Sequence, residues 1–244
     1  MTDEILFLLK QINSVGYDAF IVGGFTRDAL FYLDNTDIDI VTNAPFDILL
    51  NVFKTYKPKL FKNNTIKFKY KKYSVDIAQI RQEIYDGYKT KVLFSNDLND
   101  DYKRRDFTFN SIYLNKDLVF YDFDNSIQDC LNKRLKFIGN PTLKCEEDPT
   151  RIIRALYFIL KYNISLYDDL NKINFDRINF SKCNINLLNK ALYKVLKLGK
   201  NKEFVTLLKE YNIYNSLFSK ELPNFNLEPK TFLKDFGYRY FNTI

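Results

Sequence analysis

Asp37 and Asp39 stand two apart in the stretch Asp37-Ile38-Asp39-Ile40-Val41, where polar and apolar residues alternate with the period of a strand. Side chains at i and i+2 of a strand leave on one face. Two carboxylates there repel each other unless a cation lies between them. An exposed structural pair is the plain alternative. Ile38, Ile40 and Val41 argue against it, because acids seldom line a strand otherwise built for burial. Asp76, in Tyr73-Ser74-Val75-Asp76-Ile77-Ala78, carries the same alternation on a second expected strand. If the two strands are neighbours, three carboxylates converge. Such a trio can hold two divalent ions about 4 Å apart, one activating an attacking hydroxyl and the other clamping a triphosphate. The chain contains no histidine. That removes histidine acid–base chemistry, the Ser-His-Asp triad and histidine metal ligands together. A catalytic metal must then rest on carboxylates, which selects Mg2+, with Mn2+ as the alternative.

Gly23-Gly24 lies between an expected strand and an expected helix. Backbone amides in such a turn can approach a phosphate closely because no Cβ intervenes. Arg27, one turn into the helix, is placed to reach a triphosphate oxygen. Taken alone, the pair reads equally as an ordinary glycine turn. It gains weight because Gly-Gly, Arg27-Asp28 and the paired aspartates follow in order within residues 23–39.

Two further motifs follow: Arg104-Arg105-Asp106-Phe107-Thr108-Phe109-Asn110 and Glu147-Asp148-Pro149-Thr150-Arg151. Together with Gly23-Gly24-Phe25-Thr26-Arg27-Asp28 and Asp37-Ile38-Asp39, they make the chain resemble the class II tRNA nucleotidyltransferases (CCA-adding enzymes) and bacterial poly(A) polymerases. The second stretch is similar to the RRDFTxN motif of that family and the third to its EDxxR motif. The resemblance covers about residues 15–165. It implies a DNA polymerase β-like nucleotidyltransferase head, metal binding by Asp37 and Asp39, and contacts from Gly23, Gly24 and Arg27 to nucleotide phosphates. It implies that Arg105 and Asp106 sense the ribose, that Asn110 also binds the nucleotide, that Asp148 and Arg151 read the base, and that Arg154 assists at the nucleotide. The base-reading role has a physical logic. Cytosine and adenine both present an amino donor beside a ring-nitrogen acceptor, which an Asp acceptor and an Arg donor match. Uracil and guanine meet that pair with the wrong polarity, at roughly 1–3 kcal/mol for each group left unpaired. Asp148 also reads as a helix N-cap with Pro149 at the first helical position, and the two roles are compatible. Tyr157 stands where the family carries a further arginine, and the later helical motif of the family has no clear counterpart near 178–198.

The elements that must position these residues follow from periodicity. Ile5, Leu8, Leu9 and Ile12 give a first helix closed near Gly16. Strands are expected at Ala19 to Val22, Asp37 to Val41, 64–70, 73–80, 111–114 and 118–121, with a helix from Pro45 to about Tyr56. Residues 81–103 read as a mobile loop, in which Tyr85 and Tyr88 are candidates to stack on a base. Beyond Gly139-Asn140-Pro141 only helices are expected, near 149–162, 166–173, 185–198, 201–212 and 230–240. The expected architecture is a mixed α/β head over 1–140 and an all-helical neck and body over 141–244, shortened relative to the family.

The net charge of +7 lies wholly beyond the first hundred residues, which suits a head joined to a phosphate-binding support. Lys190, Lys194 and Lys197 line one side of the 185–198 helix. They serve equally as an RNA-binding stripe or as a solubilising face. Arg104 is a further RNA-binding candidate. The lysines from Lys54 to Lys72 form a second basic tract, but strand alternation would put only some of them on one face, and no role is assigned to it. Three unpatterned cysteines, no basic leader and no long apolar run point to a cytoplasmic protein without a membrane partner. The resemblance implies addition of C and A to the 3′ end of tRNA from CTP and ATP, in full or in part. The rivals are a poly(A) polymerase acting on general RNA and, from another class, a non-catalytic RNA-binding module.

Overall fold

The computed structural model describes residues 3–86, 89–180 and 183–217. The chain divides into two compact units, residues 1–132 and 133–244.

The first unit opens with α1 (Asp3–Asn13), whose Ile5, Leu8, Leu9 and Ile12 are buried at the expected helical spacing. Each such side chain contributes roughly 1.5–3 kcal/mol by leaving water. There follow β1 (Ala19–Val22), α2 (Gly24–Leu30), β2 (Asp37–Thr42), α3 (Phe46–Phe53), β3 (Lys59–Phe61), β4 (Thr65–Tyr70) and β5 (Tyr73–Gln79). Pro45 caps α3 at its N-terminus, and a 3-10 turn over Lys54–Tyr56 extends it. β8 (Tyr113–Leu114) and β9 (Phe120–Tyr121), numbered after the hairpin described below, complete a seven-stranded sheet. Its order is β3-β4-β5-β2-β1-β8-β9. Within it β2 and β5 run parallel and the other neighbours antiparallel. β1 is central and buried throughout, AFIV suiting a strand covered on both faces. β4 alternates, with Ile66 and Phe68 buried. These two join Leu49 and Phe53 of α3 and the apolar stripe of α1 in one core. One face of β4, β5 and β2 is therefore packed, and the opposite face is left for polar side chains.

The stretch expected as a loop is ordered structure where it is described. β6 (Arg81–Asp86) and β7 (Lys89–Phe94) form a separate antiparallel hairpin, and α4 (Leu98–Arg104) follows. Ile84, Leu93 and Phe94 of the hairpin are exposed. The more covered side of β6 carries Arg81, Glu83 and Tyr85 in place of apolar residues, so no apolar alternation marks the strand, which is why the sequence hides it. Tyr85 lies on β6 with its hydroxyl donating to Glu83; Tyr88 lies outside the described residues. α5 (Ser126–Leu131) closes the unit.

The second unit is helical among its described residues: α6 (Pro141–Glu147), α7 (Thr150–Tyr162), α8 (Ile185–Leu196), α9 (Asn201–Glu210) and α10 (Ile213–Leu217). Asn140 caps α6 and Asn184 caps α8 through their side chains. The helix expected at 166–173 is a 3-10 turn, Asp168–Lys172; that expected at 230–240 lies outside the described residues. Ile152, Ala155, Leu156 and Ile159 of α7 are buried together. Among the described residues no helix is long and apolar enough to cross a membrane.

Candidate active site

β2 supplies two carboxylates because its first two odd positions face away from the core. Asp37 and Asp39 are exposed while Ile38, Ile40 and Val41 are buried. The parallel pairing of β2 with β5 sets Asp76 directly beside Asp39, so the two project from the same face. Asp37, Asp39 and Asp76 are thus gathered, as the alternation implied. Asp76 does not stand alone: its Oδ2 accepts from Lys67 Nζ at 2.8 Å.

Solvent reaches Asp39, yet protein crowds it. Lost hydration raises its pKa, and the Asp76 and Asp37 charges push the same way, against Arg105 and Lys67. Exposure decides whether a ligand can reach this carboxylate; crowding decides what its charge costs. A carboxylate whose charge is penalised by lost hydration and by neighbouring carboxylates is one that a bound cation stabilises.

The all-oxygen donor set fits Mg2+ or Mn2+. Among the described residues, however, no three Asp, Glu or Cys side chains are drawn tightly enough to hold a metal by themselves. That also fits Mg2+, which is commonly bound by one or two carboxylates completed by waters and substrate phosphates. The three free thiols are no alternative ligands or nucleophiles. Burial pushes each of Cys130, Cys145 and Cys183 up to about 12, so all three are protonated at neutral pH.

The glycine turn abuts the same carboxylates. Gly23 has φ +84°, a conformation that L side chains rarely adopt, and a Cβ there would lie 3.2 Å from Asp39 Oδ2 and 3.9 Å from Arg105 Nη1. Only glycine fits both the turn and the approach. Arg105, at the end of α4, is set by Asp101, which is wholly buried. Arg105 Nε donates to Asp101 Oδ2 at 2.6 Å and to the Tyr113 hydroxyl at 3.2 Å. Tyr113 donates to the same carboxylate oxygen at 2.8 Å. Burial alone would raise the pKa of Asp101, but Arg105 and Arg104 outweigh it and bring it down to about 2. Sequence reasoning missed Asp101; its place four residues before Arg105 on a helix was the available signal.

Other motif residues lie inward. Arg27, Asp28, Asp106 and Asn110 are 3–6% exposed. Arg27 Nη2 pairs with Asp28 at 2.8 Å, and Nη1 donates to Asn110 Oδ1. Asn110 Nδ2 donates to Asp106 Oδ1 at 3.2 Å. Arg27 was expected to reach a triphosphate. Here its guanidinium is an interior brace that ties the helix after the glycine turn to the Asp106–Asn110 segment. Asn35 Nδ2 adds to the same knot by donating to Asp28. Arg104, expected as an RNA contact, donates to Asp101 and lies 3.7 Å from Glu83 of the hairpin.

In the second unit Asp148 Oδ1 accepts from the Thr150 N–H at 3.0 Å and from its hydroxyl at 2.6 Å, which is the expected capping of α7. Arg151 is buried; its Nη1 donates to Glu147 at 2.6 Å and to the Lys144 carbonyl at 2.8 Å. Arg154 is exposed one turn on, and Tyr157 packs beside Phe158. Lys190, Lys194 and Lys197 are exposed on or just beyond α8.

Residues 19–136 match the family model of the poly A polymerase head domain. The chain is 33% identical over 167 residues to the CCA-adding enzyme of Staphylococcus epidermidis, covering 66% of this chain and 41% of that one. It is 27% identical over 244 residues to poly(A) polymerase I of Salmonella typhimurium, covering 89% and 50%. The chain thus spans half or less of the length of these relatives. In fold it is similar to the Bacillus stearothermophilus CCA-adding enzyme in complex with CTP, with TM-score 0.75 and 23% identity over 98% of this chain and 58% of that one. It is likewise similar to the Thermotoga maritima CCA-adding enzyme complexed with a tRNA, with TM-score 0.73 and 22% identity over 96% and 55%.

Proposed function

We propose, from the match of residues 19–136 to the poly A polymerase head domain, that the chain adds C and A to the 3′ end of tRNA from CTP and ATP, by nucleotidyl transfer at Asp37, Asp39 and Asp76. The observation that carries the reading is the alignment of Asp39 with Asp76 beside Gly23. Two divalent cations, when bound, supply activation of the 3′-hydroxyl and neutralisation of the triphosphate.

The chain's own residues do the rest. Asp37 and Asp39 would hold the cations together with the nucleotide's phosphates, with Asp76 beside them on β5. Gly23 and Gly24 let the backbone come close to the triphosphate. Arg105, held by Asp101 and Tyr113, projects toward the gap between Gly23 and Asp39, where a ribose or phosphate oxygen meets it. Arg27, Asp106 and Asn110 keep that wall rigid, so their part is positioning. In the second unit Asp148 accepts from the amino group of cytosine or adenine with lone pairs left over from capping α7. Arg151 donates to the ring nitrogen, and Arg154 assists at the nucleotide. Lys190, Lys194 and Lys197 attract the RNA backbone at longer range.

The test is to sequence the products formed from tRNA ending before the first C, after C and after CC, alongside a generic RNA. The proposal expects only C and A, added to tRNA and then stopping. Long A tails on the generic RNA would make the chain a poly(A) polymerase, a reading supported by the Salmonella relative's coverage of this chain. No incorporation together with no metal-dependent CTP binding by calorimetry would make it an RNA-binding module.

A further inference from the structure

The open face of the sheet does not end at the carboxylates. β2, β5, β4 and β3 lie side by side, and their register sets Asp39, Asp76, Lys67 and Lys59 in one cross-strand row. The next row on the same face holds Asp37, Ser74 and Lys69. Directly opposed residues project together, so the face passes from negative on β2 and β5 to positive on β4 and β3. Lys67 is engaged with Asp76 and remains 43% exposed. Lys59 and Lys69 are exposed, and among the described residues neither makes a hydrogen bond or an ion pair. Lys59 stands directly opposite Lys67, a like-charge pairing that costs stability in the free protein. An anion lying over the row reverses that cost.

The direction from which the anion comes is fixed by the other side of the site. β1 flanks β2 opposite to β5, and Val22, beside Asp39, leads directly into the glycine turn. The carboxylates therefore lie between the turn and the lysines. With the triphosphate on the glycine side, the strand that brings the attacking hydroxyl approaches from the lysine side. We propose that the phosphodiesters next to the 3′ end of the acceptor RNA run over Lys67, Lys69 and Lys59, making β3 and β4 a track for the acceptor strand. The proposal rests on the nucleotidyl-transfer reading of the carboxylates and adds where the acceptor lies.

The test uses the Lys59→Gln/Lys69→Gln double variant, which leaves the Lys67–Asp76 pair intact. Its affinity for tRNA lacking the 3′-terminal nucleotides is measured from low to moderate salt, next to its affinity for CTP with Mg2+. Loss of two phosphate contacts makes the plot of log affinity against log salt less steep by about 1.5, while CTP affinity stays within twofold. An unchanged slope overturns the track. So does weakened CTP binding with RNA binding intact, which would give the lysines to the triphosphate. Wild-type protein that binds no RNA and incorporates nothing would bring down the nucleotidyl-transfer reading itself, and the track with it; that result is distinct from an unchanged variant beside an active wild type.

Discussion

Asp39 is the residue on which charge and shape can be separated most cleanly. Its pKa is raised in the folded chain by crowding and by Asp76 and Asp37. A raised carboxyl contributes stability at pH below its ordinary, unfolded value and loses that contribution as pH rises through the folded value. At neutral pH without metal, its ionised form therefore weighs against the fold. Asp39→Asn should melt higher than the wild type at pH 7 in chelator, by no more than a few degrees because solvent screens an exposed group. The difference should vanish below the ordinary aspartate range, and Mg2+ with CTP should narrow it by stabilising only the wild type. Thermal melts at several pH values check this. A variant that melts lower at pH 7 would mean that Asp39 is a structural residue. The paired aspartates and Asp76 were legible from alternation alone, because strand period fixes the face. Lys67 was not, since the direction of a lysine depends on register across strands, which sequence does not print.

At the scale of elements, α4 is the part that holds Arg105 to the site. Asp101 binds Arg104, Arg105 and Tyr113 from a fully buried position. Replacing it by Asn removes the buried carboxylate that Arg104 and Arg105 share, so Asp101→Asn should cost about 3–5 kcal/mol in urea unfolding. The carboxyl lies down at about 2, so this stability is present above the ordinary aspartate range and disappears as the pH falls toward that value. A wild type and variant of equal stability at pH 7 would contradict the account. The helices and strands with one buried side (α1, β2, β4 and β5) carried their periodicity openly. β3, exposed throughout, and the β6–β7 hairpin, whose more covered side on β6 carries Arg81, Glu83 and Tyr85, did not. Helix type near 168–172 was lost in the same way: the apolar spacing of a short 3-10 turn and of an α-helix is too alike over so few residues.

At the scale of the whole molecule, the family motifs fall into the two units in chain order. The glycine turn, the carboxylates and the RRDFTxN segment belong to the first unit, and Asp148, Arg151 and Arg154 to the second. The motifs singled these residues out together. They did not tell which of them reach solvent: Arg27, Asp106, Asn110 and Arg151 are all buried and engaged with their neighbours. The central claim is that Asp37, Asp39 and Asp76 beside Gly23 carry metal-dependent nucleotidyl transfer. Its most direct test is incorporation of labelled CTP and ATP into tRNA lacking its 3′-terminal nucleotides, with Mg2+ or with chelator, by the wild type and by an Asp39→Ala variant shown by circular dichroism to be folded. The account predicts extension by the wild type only with Mg2+, and a loss of at least about 100-fold in the variant, beyond the roughly 10–100-fold cost of losing an outer partner of a metal site. Extension in chelator, or a folded Asp39→Ala variant as active as the wild type, would contradict it.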